Sequence, residues 1–311
     1  MGRVNIYLPD HLAEELRRYR TVINVSEVCA AALRAELSAR TTSRSAAGLF
    51  QSPFTEFSPL DHQLARRFRL HRVVIDSPRS DAPDPNETVS ELASQFLDRM
   101  LFEGAQLGVG GGTQMWSVVR RLKPRNLRIA LSAIGVGHVD HMAPHVHANV
   151  LVTVLSLLYA PRSTTTLVGA SDFAAAWSLD AGHAKDIQRV IIGSCAPFSA
   201  GSRYAKLLGR ETTELLVEEG ALGDFLGVFL SPEGRSIEPY PPTSTVSHIS
   251  GADLRAHAKR PDTIVALAAA GEGKVDLIRR VLAAEWCNTL ITDEPTARAL
   301  LRRSDPVRTN I

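Results

Sequence analysis

Hydrophobic and polar residues alternate strictly over Arg3-Val4-Asn5-Ile6-Tyr7-Leu8, with Val4, Ile6 and Leu8 on one face and Arg3, Asn5 and Tyr7 on the other. A period of two predicts a half-buried strand. The period then changes. Pro9-Asp10 opens a helix with Asp10 as N-cap and Leu12, Leu16 and Tyr19 at helical spacing. Asn24-Val25-Ser26 interrupts it, and Ser26 caps a second helix that carries Val28, Cys29, Ala32, Leu33 and Leu37 on one face. Strand, helix, turn and helix fill residues 1–40. A unit this short, with one strand, cannot bury its own apolar faces, because chains below about 40 residues usually need a metal, disulfides or a partner. It is expected to dimerise.

Residues 41–69 read as a linker, rich in Ser, Thr, Ala and Arg and punctuated by Ser52-Pro53 and Ser58-Pro59, with a short helix expected from Asp61 to Arg69. From Arg72 onward, short apolar runs alternate with amphipathic stretches. Strands are expected at Val73–Ile75, Ala105–Val109, Leu127–Ile134, near Thr166, Arg189–Ile192, Phe225–Leu230, Thr263–Leu267 and Thr289–Ile291. Helices are expected at Asn86–Phe102, Thr113–Leu122, His145–Leu158, Arg203–Glu218, Gly273–Leu282 and Glu294–Arg303. Repeated βα units predict an α/β domain over residues 70–311, a mostly parallel sheet with helices on both faces.

Composition narrows the partners only a little. With 311 residues, 44% hydrophobic and 22% charged, the chain is globular, and a net charge of +2 is too mild to mark a nucleic-acid binder in bulk. Any DNA contact must come from a local face. Cys29, Cys195 and Cys287 fit no metal or redox spacing and read as small buried apolar residues in a reducing compartment. The longest apolar run, around Val150 to Tyr159, is too short to cross a bilayer, and no signal-peptide core follows Met1. A cytoplasmic protein without membrane attachment is expected.

Two paired strands form a ribbon that enters the major groove with its outward side chains on base edges. Here those side chains are Arg3, Asn5 and Tyr7; Arg pairs bidentately with guanine and Asn with adenine. Asn24, Val25 and Ser26 begin the second helix, whose free N–H groups can clamp a phosphate. The stretch from Val4 to Leu37 resembles the ribbon-helix-helix family in its alternating strand, its Leu-Pro-Asp helix start and its Asn-Val-Ser turn. Operator DNA is the partner this resemblance implies. The alternative is a dimerising arm or an edge strand.

In the large domain, Gly108-Val109-Gly110-Gly111-Gly112-Thr113-Gln114 follows a strand and opens a helix, where bare N–H groups can cradle a phosphate. The spacing is not the dinucleotide G-x-G-x-x-G pattern. Lys274 follows a Gly-Glu-Gly turn between strand and helix, on the same rim as the glycine loop. Taken with Ala221-Leu222-Gly223-Asp224-Phe225-Leu226-Gly227, Ala269-Ala270-Gly271-Glu272-Gly273-Lys274 and Ile291-Thr292-Asp293-Glu294-Pro295-Thr296, the loop resembles the sugar-binding C-terminal domain of SorC and DeoR-type bacterial regulators. That resemblance implies a Rossmann-like effector domain binding a phosphorylated sugar. By position, Gly110, Gly112 and Thr113 would hold phosphate with Gln114 nearby, Asp224 would accept sugar hydroxyls, Lys274 would pair with phosphate, and Arg203 would add a basic contact. Ile192-Gly193-Ser194-Cys195 departs from the Gly-Ile-Gly expected there.

His138, His141, His145 and His147 crowd one loop, either as a metal site or as pocket-lining and capping residues; no metal and no cofactor is expected. The functional expectation is a DNA-binding transcriptional regulator controlled by a small effector, self-associating as dimer or tetramer, and not an enzyme. The alternatives are a sugar-phosphate enzyme on the same scaffold, or a domain that only oligomerises. Asp224 and Glu272 are candidate bases for the former, without a second acid-base group beside them in sequence.

Overall fold

A computed structural model describes residues 59–76, 84–135, 143–159, 161, 163–167, 189–237 and 249–302, without the side chains of 203, 204 and 207. All of these lie in one compact unit, Phe54–Ile311. The ribbon-helix-helix expectation, with Arg3, Asn5, Tyr7, Asn24, Val25 and Ser26, falls outside the described residues, as do His138 and His141.

A parallel sheet runs through the middle. Its strands are β1 (Arg72–Asp76), β2 (Gln106–Gly110), β3 (Ala130–Ile134), β4 (Thr164–Thr166), β5 (Arg189–Gly193), β10 (Thr263–Ala268) and β11 (Thr289–Asp293). They lie in the order β1-β11-β10-β5-β2-β3-β4. Every pairing is parallel. β2, β5, β10 and β11 are buried along their whole length, the near-continuous apolar run of strands covered on both faces.

Alternate residues of each strand feed two cores. Leu107, Val109, Val190, Ile192, Ala266 and Ile291 face the core built with helices α2 (Pro85–Met100), α3 (Thr113–Val119) and α4 (Ala148–Leu158). Ile191, Val265, Leu267 and Leu290 face the opposite one, with α1 (Pro59–Phe68), α7 (Gly251–Ala258), α8 (Val275–Ala283) and α9 (Glu294–Arg302). Helix α2 shows why its sequence folds so. Asp84 accepts from the Asn86 N–H, Pro85 fits the first turn, and Val89, Leu92, Ala93, Phe96 and Met100 form one buried stripe. The short helix expected near residue 61 is α1, and its Leu64 and Phe68 are buried in the second core. No described helix is long and apolar enough to cross a membrane.

The structure departs from the expected elements in several places, helix α7 being one that was not expected. A second sheet, β6-β7-β8-β9, is antiparallel and covers part of the second face, through Cys195–Pro197, Gly223–Phe225, Val228–Leu230 and Ser236–Ile237. The run expected as one strand, Phe225–Leu230, turns back on itself at Leu226 and Gly227, so β7 and β8 form a hairpin. The expected helix Arg203–Glu218 is two helices, α5 (Arg203–Leu208) and α6 (Arg210–Glu218), because Gly209 sits at φ +85°. Cys195 and Cys287 are buried, in keeping with the apolar reading; Cys29 is outside the described residues.

Candidate functional site

The sheet reverses its winding between β2 and β5. From β2 the chain steps outward to β3, and from β5 it steps the other way to β10. Ligands of open α/β sheets sit in the crevice at the carboxyl ends of such neighbouring strands. Gly110 and Gly193 end these two strands, and the glycine loop and Ser194 follow directly.

The glycine loop is tightly packed. A Cβ on Gly111 would stand 3.0 Å from Val146 O, and Gly112, at φ +107°, donates its N–H to that same oxygen at 2.7 Å. One N–H of the expected phosphate cradle is thus already engaged. Thr113, by contrast, is exposed, and its N–H and hydroxyl make no hydrogen bond among the described residues. Ser194 Oγ lies 3.6 Å from where a Gly112 Cβ would be, so a second hydroxyl faces the loop across the crevice. Gly110 packs against Leu226 of the β7–β8 hairpin.

Gln114 is buried and turned away from the loop: its Nε2 donates to Asn86 O at 2.8 Å and Ser90 Oγ at 2.7 Å. Asn86 is touched from the other side too, by Lys274 Nζ at 3.1 Å from its Oδ1. The first turn of α2 therefore joins the glycine loop to the Lys274 turn. Lys274 is half-buried, and no carboxylate among the described residues pairs with it. A cation held in this way favours an anion that brings its own charge.

Asp224, on β7, is half-buried and accepts the Gly227 N–H at 3.0 Å. Burial pushes its carboxyl up to about 7, against the opposing pull of hydrogen bonds from the Gly227 and Asp224 backbone. Burial also pushes the Cys195 thiol up to about 12, with Lys274 lowering it and Asp224 raising it. Both charged groups thus act electrostatically on the same buried thiol. Arg203 opens α5, and its side chain is not described.

The raised carboxyl has a testable sign. Folded Asp224 holds its proton more tightly than the unfolded chain, so its contribution to stability is full below the ordinary value of 3.8 and is lost as pH rises through about 7. Asp224→Asn is expected to melt with the parent chain near pH 4 and at a higher temperature at pH 8. Equal melting temperatures at both pH values would remove the buried carboxyl from this account.

His147 caps α4, its Nδ1 accepting from Asn149 N at 3.2 Å, and His145 packs edge-on against Trp116 at 5.4 Å. Among the described residues no group of side chains could hold a metal ion. Sequence reasoning passed over Asn86, which it used only as a helix start, and over Leu226. Asp84-Pro85 marked the helix end on which Asn86 sits, but its two partners are distant in sequence.

The match to known proteins covers the described residues. The Sugar-bind family, a sugar-binding domain, matches residues 52–302. The transcriptional regulator LsrR of Klebsiella pneumoniae is 28% identical over 251 residues, covering 78% of this chain and 75% of that protein. The deoxyribonucleoside regulator of Bacillus subtilis is 23% identical over 264 residues, covering 80% and 81%. Among solved structures, the full-length sorbitol operon regulator SorC of Klebsiella pneumoniae superposes with a TM-score of 0.60 at 19% identity, over 80% of this chain and 83% of that one. A transcriptional regulator from Streptococcus pneumoniae gives 0.62 at 19% identity, over 78% and 95%. With the family match spanning most of the sequence and the same α/β fold in these neighbours, the chain belongs to the sugar-binding domain family, Sugar-bind.

Proposed function

We propose that this protein is a DNA-binding transcriptional regulator whose large domain senses a phosphorylated sugar at the β2/β5 crevice. The observation that carries this reading is Lys274, a half-buried cation without a carboxylate partner among the described residues, linked through Asn86 and Gln114 to the glycine loop. Lys274 would pair with the phosphate, and Thr113 with Ser194 would supply hydroxyls beside it. Asp224 would accept a sugar hydroxyl. Gly110 and Gly112 would hold the phosphate from the loop, Gly112 at a positive φ that favours glycine and Gly110 beside Leu226, and Arg203 would add a basic contact from α5.

The relatives named as regulators support a sensing role without turnover, in a cytoplasmic protein. Residues 1–40 would read operator DNA as a paired ribbon through Arg3, Asn5 and Tyr7, with Asn24, Val25 and Ser26 clamping a phosphate; the connecting segment would end before α1, whose Leu64 and Phe68 are buried in the large domain, and not at residue 69 as the sequence suggests. Large domains would join ribbons into a dimer or tetramer. An effector controls such an assembly only by binding one arrangement better than another.

The test is a melting experiment on the full chain with ribose 5-phosphate, glucose 6-phosphate, the two unphosphorylated sugars and inorganic phosphate. A ligand at about 100 times its Kd stabilises the native state by about 2.7 kcal/mol. Stabilisation by a phosphorylated sugar above that given by its parent supports the reading; identical melting with every compound removes phosphosugar sensing. For the DNA part, Asn5→Ala is expected to reduce discrimination between operator and unrelated DNA by about 1–3 kcal/mol per site contact. Unchanged discrimination in a salt-controlled binding assay would count against the ribbon.

A further inference from the structure

We propose that Leu226 is a positioning residue of this crevice: its side chain, seated in a socket left open by Gly110 and Gly193, holds the β7–β8 hairpin so that Asp224 faces the site. The proposal rests on the effector reading for the purpose of Asp224, whereas the seat itself is a matter of packing.

The hairpin turn contains Leu226 at φ +57° and Gly227 at φ +82°, between the paired residues Phe225 and Val228. Two-residue turns with positive φ at both central positions favour Asn, Asp or Gly at the first. A leucine is disfavoured there, because its Cβ crowds the following carbonyl. Turn chemistry therefore does not explain Leu226. Packing does: the residue is 3% exposed and belongs to the second core.

Gly110 and Gly193 end adjacent strands. A Cβ built on Gly110 would stand 2.6 Å from Leu226 Cδ2, and one built on Gly193 would stand 2.4 Å from Cδ2 and 2.8 Å from Cγ. The leucine thus occupies the space that side chains at both positions would need. Two glycines at the point where the sheet reverses its winding make the socket, and the hairpin tip fills it. Asp224 lies two residues before the tip, and its Oδ2 accepts the Gly227 N–H across the turn, so the seat of the tip fixes the carboxyl. Asp224 and Lys274 both act electrostatically on the Cys195 thiol. A strained backbone persists only where its surroundings over-determine it, and such positions cluster at ligand clamps.

The test needs no ligand. The Asp224 carboxyl is titrated by carbon-13 NMR in the full chain and in L226M, L226N and L226A. L226N gives the turn a better residue but offers the apolar socket a polar amide that finds no partner there, whereas L226A leaves the socket empty, which separates the two roles. With the tip seated, the midpoint is expected at about 7 in the parent and close to it in L226M. In L226N and L226A it is expected to fall by about one unit or more, toward the ordinary carboxylate range, as the hairpin lifts and water reaches the carboxyl. A parent-like midpoint in a folded L226N chain would overturn the proposal.

Should the leucine variants fail to fold, G193A supplies a second arm. Its added methyl group meets Leu226, so G193A alone is expected to melt well below the parent, and G193A combined with L226A is expected to melt above G193A. A double variant no more stable than G193A would overturn the socket. Failure of every sugar phosphate to bind would end the effector reading and leave both of these results standing.

Discussion

Lys274→Ala is expected to weaken a phosphorylated ligand by about 10- to 100-fold while leaving the unphosphorylated sugar unchanged. The reason lies in what the free protein already holds. Lys274 Nζ is 3.1 Å from a neutral amide oxygen of Asn86, and no carboxylate among the described residues balances its charge. A phosphate oxygen would replace a neutral acceptor by a charged one, and hydrogen bonds to charged groups contribute about 1.5–3 kcal/mol. The cost of substitution to folding is expected to be small, since deleting a half-buried, uncompensated cation also removes its desolvation penalty. Calorimetric titration with ribose 5-phosphate and ribose separates the possibilities. An equal loss for both ligands would mean that Lys274 shapes the crevice without meeting the anion.

Gly223→Ala is expected to destabilise the protein by about 3 kcal/mol, the upper part of the range for overpacking a filled site. A methyl group there would stand 2.3 Å from Ala196 O, 2.5 Å from Leu277 Cδ2 and 3.0 Å from Pro197 Cα. Two of these three are backbone atoms of β6, which Gly223 faces in register with Pro197, so a rotamer change cannot relieve them. The β6–β7 pairing must open. Because β7 carries Asp224, loss of stability and loss of the carboxyl's environment should go together. Melting temperature should fall by about 6–12 °C for a domain of this size. A shift within about 1 °C would show that β6 yields easily and that the small sheet is loosely held.

The parallel sheet was legible because fully buried strands have a plain signature. Val-Ile-Ile at β5 and Ile-Val-Ala-Leu at β10 are continuous apolar runs with turn residues at their ends. The small sheet was not. Leu226 hides a turn inside Phe225–Leu230, since the position that usually shows Asn or Asp shows an aliphatic residue. Helix α7 also went unread. Its apolar stripe is weak, and the readable signal was the capping box, Ser250 with Asp253.

The candidate site divides along the same line. Gly112, Thr113, Asp224 and Lys274 stand out locally, as glycines or charges beside strand ends. Gln114 had a local reason to be chosen, its place after the loop, yet its amide is committed to α2. Asn86 had none, since its role depends on a lysine 188 residues away in the chain. Contacts of that span arise from the fold, and one sequence without its fold does not display them.

The pairing of β1 with β11 carries a consequence for how the domain is made. Arg72 lies opposite Thr289, so β1, the first of the described strands to leave the ribosome, waits for more than two hundred further residues before its only neighbour among the described strands exists. At about 5–20 residues per second, that interval is about 10–40 s. During it, the edge residues Val73 and Val74 have no strand to pair with and can be captured by another nascent chain. Premature termination before residue 289 should therefore yield aggregates in place of a shorter folded body, and chaperone demand should be greatest late in translation.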